Sequence, residues 1–223
     1  MQALKNIIRS VVLASDSRLM RYYLPTVEYL VFPAELGLLC QHLTETDSLP
    51  GPILEIGCEQ GRTTVFLNRH LEVIKSKRKY ICIDTFDGFT TGDIEFEVRR
   101  RASDERFLAG QFRAGAKSTF EKTLKFNGIK RATVIQADVN HYDFSSVDEV
   151  SFCFIDVDLF RPVTSALHKI WPKMAVNGVI MVHDCAPEES NPYRGAYEAY
   201  TEFAAECGAA IDVQERFGIL RKR

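Results

Sequence analysis

The sequence predicts a doubly wound α/β fold, with a mostly parallel seven-stranded sheet and an antiparallel hairpin at its C-terminal end. The first observation is that short apolar segments alternate with longer segments of helical periodicity, the element order of a parallel sheet covered by helices. The second is that these short segments are apolar on both faces, as expected for strands buried between helices. The predicted parallel strands are Ile53–Ile56, Tyr80–Asp84, Ala132–Asp138, Val150–Asp156 and Val179–Asp184.

The segments between these strands carry helix start and stop signals. Met174–Gly178 is predicted as a turn that returns the chain to the fifth strand. The last two strands, Ala210–Gln214 and Gly218–Arg221, are joined by a short turn, which predicts an antiparallel hairpin at one sheet edge. The predicted helices are 62–74, Lys117–Asn127, 161–173 and Tyr193–Cys207.

Length, charge and cysteine content restrict the class of protein. The chain has 223 residues and a formal net charge of −2 at pH 7. This length fits one domain, and the near-neutral charge gives no indication of a nucleic-acid or membrane partner. The six cysteines include no Cys-x-x-Cys pair, and several lie within apolar strands. We therefore expect reduced, buried thiols in a cytoplasmic protein rather than disulfides or a zinc site.

We expect residues 1–50 to form an N-terminal helical cap on a core of residues 51–223. The apolar run from Ile7 to Ala14 is too short to span a membrane and predicts a short amphipathic helix. Such a helix is a candidate contact for a homodimer. A second helix is predicted between Tyr22 and Thr46, beside the sheet at the entrance to the ligand site.

Two glycines follow the first strand, in the sequence Glu55-Ile-Gly57-Cys-Glu-Gln-Gly61. Gly57 permits conformations that a side chain would block and lets a ligand approach the main chain. A strand, glycine turn and helix at this place in an α/β sheet is where nucleotides bind, although a tight turn without a ligand is the alternative. The spacing is not the Gly-x-Gly-x-x-Gly of dinucleotide sites, and the acidic Glu55 suits a ligand with an ammonium or sulfonium group.

Acidic residues end several of the predicted strands. Asp84 ends the second strand, where a carboxylate meets ribose hydroxyls in such folds, although a helix N-cap is the alternative. Asp138 ends the third strand, where turn chemistry is an equal alternative.

Three further acids follow the fourth and fifth strands, namely Asp156, Asp158 and Asp184, with His183 next to the last of them. Because parallel strands end at the same sheet edge, we expect these side chains to converge near the glycine turn. Converging carboxylates need a positive partner, and a divalent cation held by oxygen ligands would supply one. The alternatives are a helix cap for Asp158, a loop-stabilising role for Asp184, and a core position for His183.

Residues 86–113 form a connection longer than is usual between a strand and a helix, which predicts a lid-like insertion. Its arginines would either attract an anionic substrate or form a solvated helix face. They are Arg99, Arg100, Arg101, Arg106 and Arg113.

The region from about Ile53 to Arg221 resembles the macrocin O-methyltransferase family within the class I methyltransferases that use S-adenosylmethionine. The resembling segments are Leu54-Glu-Ile-Gly57, Asp84-Thr-Phe-Asp-Gly88, Ile155-Asp-Val-Asp-Leu-Phe160, Trp171-Pro-Lys-Met-Ala-Val-Asn-Gly178, Val182-His-Asp184 and the helical segment Arg194 to Phe203.

The resemblance implies a Rossmann-like methyltransferase fold, S-adenosylmethionine as cofactor and Mg2+ as a metal. Asp158 and His183 are the expected catalytic residues, with a role in removing a proton. The resemblance implies that Glu55, Gly57 and Asp84 bind S-adenosylmethionine and that Asp138 reaches its adenine. Gly61, Thr85 and Asp156 are further expected cofactor contacts. The implied metal ligands are Asp156, Asp158 and Asp184.

This sequence departs from the family at two positions that bear on the metal. The family carries two consecutive aspartates where this chain has His183 and Asp184, and related catechol-type enzymes carry asparagine where it has Cys185.

The expected activity is transfer of a methyl group to a hydroxyl of a small molecule, a sugar or a natural-product phenol. A protein that binds the cofactor without turnover and a nicotinamide-dependent oxidoreductase are the alternatives.

Overall fold

The computed structural model describes residues 4, 7, 8 and 11, and residues 31–112, 116–188 and 190–223. The chain divides into two compact units, Met1–Pro33 and Ala34–Arg223. Most of the helix predicted from Ile7 to Ala14, and the beginning of the one predicted from Tyr22, lie outside the described residues. Within the described ranges, no helix is long and apolar enough to cross a membrane.

Seven strands form one sheet, in the predicted fold class. They are β1 (Ile53–Ile56), β2 (Tyr80–Asp84), β3 (Ala132–Gln136), β4 (Val150–Ile155), β5 (Met174–Val182), β6 (Val213–Gln214) and β7 (Phe217–Arg221). Their order is β3-β2-β1-β4-β5-β7-β6. Neighbours from β3 to β5 are parallel, and β7 is antiparallel to both β5 and β6. The topological switch point, where ligands bind in such sheets, therefore lies between β1 and β4.

Helices cover both faces of this sheet. They are α1 (Pro33–Glu45), α2 (Arg62–Val73), α3 (Thr91–Arg101), α4 (Glu105–Gly110), α5 (Lys117–Phe126), α6 (Phe160–Ile170) and α7 (Arg194–Glu206), with a 3-10 turn at Trp171–Lys173. The apolar residues of α6 recur every three or four positions, so Val163, Ala166, Leu167 and Ile170 are buried on one side. Against them lie the strands of the main core, including the fully buried Ile155 of β4.

The predicted turn Met174–Gly178 is wrong, because this segment is the first part of β5. Met174 pairs with Val150, and the register shifts before Val179 pairs with Phe152. Asn177 in between has a φ of 65°. Asparagine and glycine are turn residues, but here they form an irregularity inside a strand whose two ends are both paired.

The segment predicted as a lid contains α3 and α4, and two of its arginines form ion pairs with α7. Arg101 lies 2.8 Å from Glu97 and 2.6 Å from Glu198, and Arg100 lies 2.6 Å from Glu202. These two side chains are paired with acids of the same chain and are not unoccupied anion receptors, while Arg100 is exposed, in agreement with a solvated helix face. Arg113 lies outside the described residues.

Gly57 is required by the packing of β1 against β4. Its φ is +90°, and a Cβ at this position would overlap the carbonyl oxygen of Asp156. The sequence predicts that this glycine serves ligand approach, whereas the structure shows that the neighbouring strand already needs it.

The carboxylate of Glu55 lies in the core rather than over the glycine turn. Oε2 accepts hydrogen bonds from Thr64 (2.7 Å) and Tyr80 (2.9 Å), whereas Oε1 is buried without a hydrogen-bond partner among the described residues. Burial raises the pKa of Glu55 to about 8. Glu55 therefore supports the turn from the interior, and the structure does not place it where it would contact a charged ligand.

Gly57→Ala should destabilise the protein by about 3 kcal/mol or more, because the methyl group meets main chain and alanine disfavours positive φ. Gly37→Ala is the matched control, since a Cβ there meets nothing within 4 Å in α1. We expect the control to be neutral or stabilising by about 0.5–1 kcal/mol. Urea unfolding measures both, and equal stabilities would contradict the close approach.

Glu55→Gln should change how stability depends on pH. A carboxyl group whose pKa is raised on folding, here from 4.5 to about 8, stabilises the fold fully below the lower value and progressively less up to the higher one. Between those values, wild type should lose stability relative to Glu55→Gln by roughly 1.4 kcal/mol per pH unit. Denaturant titrations across this range test it, with the exposed Glu72→Gln as control. A pH-independent difference would be inconsistent with a buried carboxyl.

Candidate active site

Main-chain hydrogen bonds extend the parallel ladder past the ends of the strands. Gly57 donates to the carbonyl of Ile83 (2.9 Å), Asp156 to that of Ile56 (2.7 Å) and His183 to that of Ile155 (2.9 Å). Neighbouring parallel strands lie about 4.8 Å apart. The glycine turn, Asp156 and His183 are therefore side by side at one edge of the sheet, as the sequence predicts.

Hydrogen bonds to the Asp84 side chain hold the glycine turn against the end of β2. Its Oδ2 accepts hydrogen bonds from the amides of Cys58 (2.6 Å) and Glu59 (2.9 Å), and its Oδ1 accepts one from Phe86 (2.6 Å). A carboxylate has about four lone-pair sites, so one is left for a ligand hydroxyl. The side chain remains partly exposed at the edge. Asp84 thus shapes the turn in addition to facing the place predicted for ribose.

Gly61 is the N-cap of α2, with a φ of 85°, and no side chain among the described residues caps this helix. Main-chain amides at such an uncapped helix start are a common binding place for anionic groups.

Thr85 and Asp138 are engaged in local turns. The hydroxyl of Thr85 donates to the carbonyl of Gly88 (2.8 Å), and Asp138 Oδ1 accepts from the amide of Asn140 (2.8 Å). The Asn140 side chain donates in turn to Asp93 of α3 (3.0 Å), which fixes the insertion beside the end of β3. Both predicted cofactor residues thus lie at the ligand edge, where they organise loops.

His183 is buried among carboxylates. Its Nδ1 lies 2.9 Å from Asp156 Oδ1 and 3.7 Å from Asp184 Oδ2, and its Nε2 lies 3.5 Å from Glu35 Oε1. Burial alone would lower the pKa of His183, but Asp156, Glu35 and Asp184 together raise it well above its ordinary value. In this arrangement the imidazole is a charged partner of the acids, which disfavours the predicted role of a neutral general base.

Asp158 is buried, with its backbone in the left-handed region at a φ of 59°. Asp184 shares this conformation, with a φ of 54°. Burial and then the charges of Asp156 and Asp184 raise the pKa of Asp158 well above its ordinary value. Two buried aspartates with left-handed backbone at the ends of strands are typical of a functional site.

Two residues that the sequence analysis did not select complete the cluster. Glu35 of α1 is 1% exposed, and its two oxygens receive Arg216 Nε (2.7 Å) and Nη2 (3.1 Å). Arg216, between β6 and β7, also donates through Nη1 to Asp184 Oδ1 (2.8 Å). The pair is separated by 181 residues of sequence, so no local pattern joins them. An acidic residue and an arginine, each in a segment without a motif, were the available sequence signal, and it does not mark them as site residues.

The donor atoms fit a cation site, but the residues that supply them differ from the predicted metal ligands. Ligand atoms of Asp156, His183 and Asp184 all lie within 4.8 Å of one another. Asp158, predicted as a ligand, is not in this convergent set. Among the described residues, Glu55, Cys58 and Cys82 form another such group, but burial raises the pKa of the Cys58 thiol and of the Glu55 carboxyl. Neutral donors of this kind are poor metal ligands.

Tyr193 and an aromatic group from the insertion border the acidic cluster. Burial raises the pKa of Tyr193, and the charges of Asp158 and Asp184 raise it further. Its ring centroid lies 6.1–6.4 Å from those of Phe89, Phe107 and Phe112. An apolar wall therefore adjoins the carboxylates.

A family model described as a methyltransferase domain matches residues 54–185, more than half of the chain. The match begins in β1 and ends just past β5, so it contains the glycine turn and every clustered acid except Glu35. No curated protein matches the chain significantly.

Solved structures share the fold at low sequence identity. The O-methyltransferase NovP has a TM-score of 0.71 at 15% identity, covering 88% of this chain and 83% of NovP. The calicheamicin methyltransferase CalS11 has a TM-score of 0.60 at 18% identity, covering 96% and 89%. SMU.1697c from Streptococcus mutans, solved with S-adenosylhomocysteine, has a TM-score of 0.56 at 10% identity, covering 89% and 100%.

The family match excludes the nicotinamide-dependent alternative, in agreement with a turn that lacks the dinucleotide glycine spacing. The strand order, the glycine turn and the family match lead to the same assignment: the chain belongs to the methyltransferase-domain family and is a class I S-adenosylmethionine-dependent methyltransferase.

Proposed function

We propose that the protein transfers the methyl group of S-adenosylmethionine to a hydroxyl of a small molecule. The observation that carries the proposal is the position of the acidic cluster next to the glycine turn, with Asp156 hydrogen-bonded through its amide to the end of β1. Methyl transfer from a sulfonium needs an aligned oxygen nucleophile and a group that takes its proton. Adjacent strands would hold the donor and the proton acceptor at a fixed separation.

On the donor side, the turn from Gly57 to Gly61 and the open first turn of α2 would receive the amino-acid part of S-adenosylmethionine. The remaining acceptor site of Asp84 would bind a ribose hydroxyl. Asp138, beside the end of β3, would face the adenine end, with Thr85 shaping the loop between them. Asp156, which follows β4 beside the glycine turn, would lie near the sulfonium, where its charge would favour that group.

On the acceptor side, Asp158 would remove the proton from the hydroxyl. A carboxylate whose pKa is raised is a stronger base once it is ionised, so Asp158 would act in its ionised form. His183 would hold Asp156 in place and offset the negative charge of the cluster.

Asp156, His183 and Asp184 would hold a divalent cation, Mg2+ or a related ion. When bound, such an ion lowers the pKa of a coordinated hydroxyl and orients it. The requirement for a metal is part of the proposal.

The acceptor class follows from the wall formed by Phe89, Phe107, Phe112 and Tyr193, which would pack against the ring of a sugar or a natural-product phenol. CalS11 is described as a TDP-rhamnose 3'-O-methyltransferase, and NovP as an O-methyltransferase. These names support hydroxyl acceptors of that kind.

Calorimetry should detect S-adenosylmethionine binding to the wild type and a loss of about tenfold or more in Asp84→Asn. The amide would present N–H groups to amides that now donate to Asp84, and would lose charge-assisted bonds worth about 1.5–3 kcal/mol each. The exposed neighbour Asp87→Asn should bind normally. Circular dichroism checks that both variants fold. The cofactor site is misassigned if the wild type does not bind, or if Asp84→Asn binds equally well.

Asp158→Asn should reduce kcat by about 100-fold to 10,000-fold without weakening S-adenosylmethionine binding. Asparagine is chosen because it tolerates positive φ. Formation of S-adenosylhomocysteine is followed over a panel of phenols and nucleotide sugars, with the exposed Asp143→Asn as control. An unchanged rate with every accepted acceptor would remove Asp158 as the base. Cofactor binding without turnover by the wild type would favour the binding-protein alternative.

A further inference from the structure

We propose that His183 makes the acidic cluster a mixed nitrogen and oxygen metal site that selects a first-row transition ion over Mg2+. Its ligands are His183 Nδ1 and one carboxylate oxygen each from Asp156 and Asp184. The ion displaces the Nδ1 proton to solvent, so the imidazole binds as a neutral ligand and the ion supplies the positive charge that the protonated ring otherwise gives the cluster. Glu35 and Arg216 are positioning residues that orient these ligands. This inference rests on the proposed function, because the same site would receive the acceptor hydroxyl.

The spacing of the donor atoms is close to that of ligands of one ion. Two donors that each lie about 2.1 Å from an ion at right angles or tetrahedral angles are about 3.0–3.4 Å apart. His183 Nδ1 lies 2.9 Å from Asp156 Oδ1 and 3.7 Å from Asp184 Oδ2. One distance is slightly below this range and one slightly above it. Small side-chain rotations therefore complete the set without moving the strands.

The surroundings of His183 orient its ring as in a bound metal site. A metal-ligating histidine donates its other ring N–H to a carboxylate, which fixes the tautomer and the ring plane. His183 Nε2 is buried, lacks a well-formed hydrogen bond to any described residue, and is aimed at Glu35 Oε1 at 3.5 Å. Glu35 is held from behind by two bonds from Arg216. This geometry leaves Nδ1 directed at Asp156 and Asp184.

Arg216 also determines which oxygen of the Asp184 carboxylate lies on the His183 side. Oδ1 receives Arg216 Nη1 at 2.8 Å, so that Oδ2 is the oxygen on the His183 side. A bidentate arginine braces planar groups through a fixed fork of donors, which a lysine would not do.

The donor chemistry decides which ions the site prefers. Mg2+ demands oxygen ligands in near-ideal octahedral geometry, whereas imidazole suits ions such as Co2+, Ni2+ and Zn2+. An all-carboxylate site at these strand ends would accept Mg2+. Replacing one oxygen donor with a buried imidazole favours the transition ions at the expense of Mg2+.

The first test compares Co2+ with Mg2+ binding to the chelator-treated full chain by calorimetry. The measured quantity is the Kd for Mg2+ divided by the Kd for Co2+, which we expect to be greater than one in the wild type. His183→Asp restores an all-oxygen set and should reduce that ratio about tenfold or more. His168→Asn is the matched control, because that exposed histidine pairs with Glu206 elsewhere on the surface. An equal ratio in wild type and His183→Asp would overturn the proposal.

The deciding measurement of the second test uses the wild-type protein, so its outcome does not require that a variant folds. Pulsed electron paramagnetic resonance on Mn2+ bound to the wild type should show coupling to one imidazole nitrogen, and bound Mn2+ without nitrogen coupling would overturn the assignment. Glu35→Gln should weaken Co2+ binding about 10- to 100-fold while nitrogen coupling persists. S-adenosylmethionine binding is measured on the same sample. Cofactor binding without a nitrogen-ligated ion refutes only the metal proposal, whereas absence of cofactor binding refutes the proposed function.

Discussion

Main-chain hydrogen bonds between the ends of parallel strands hold the site together. The bonds from Gly57, Asp156 and His183 to the preceding strands align three chain segments that are distant in sequence. The main-chain alignment therefore determines which side chains of these segments lie next to one another. The cluster gathers more acids than bases, so His183 and Arg216 are necessary to its stability as well as to its chemistry. Removing Arg216 would leave the buried Glu35 carboxylate without its arginine partner, and removing His183 would take the positive charge away from Asp156, which is costly in a low dielectric.

Much of the fold was predictable because its strands are buried on both faces. β1, β2 and β4 appear in the sequence as apolar runs with clear boundaries, and the structure places all three within a residue or two of prediction. β5 was predicted too short, since Asn177 and Gly178 are local turn signals that the pairing of Met174 with Val150 overrides. The hairpin strand β6 is shorter than predicted, because only Val213 and Gln214 find a partner on β7.

Some features of the site were likewise predictable from the sequence, and others were not. Convergence of the acids after β4 and β5 follows from the direction of parallel strands, which the sequence reveals. The inward direction of Glu55 does not, because a strand with apolar residues on both faces gives no alternation from which to choose a side. Glu35 and Arg216 were missed for a different reason. Their partners are set by tertiary contacts between α1 and the last hairpin, and neither residue belongs to a recognisable motif.

The missing space at Gly57 has a mechanical consequence. Since even a methyl group would overlap the Asp156 carbonyl, the glycine turn and the chain that follows β4 are in direct main-chain contact. If the methyl donor and the acceptor bind as proposed, a displacement of one segment would be passed on to the other, and the main chain would set the separation of the two ligands.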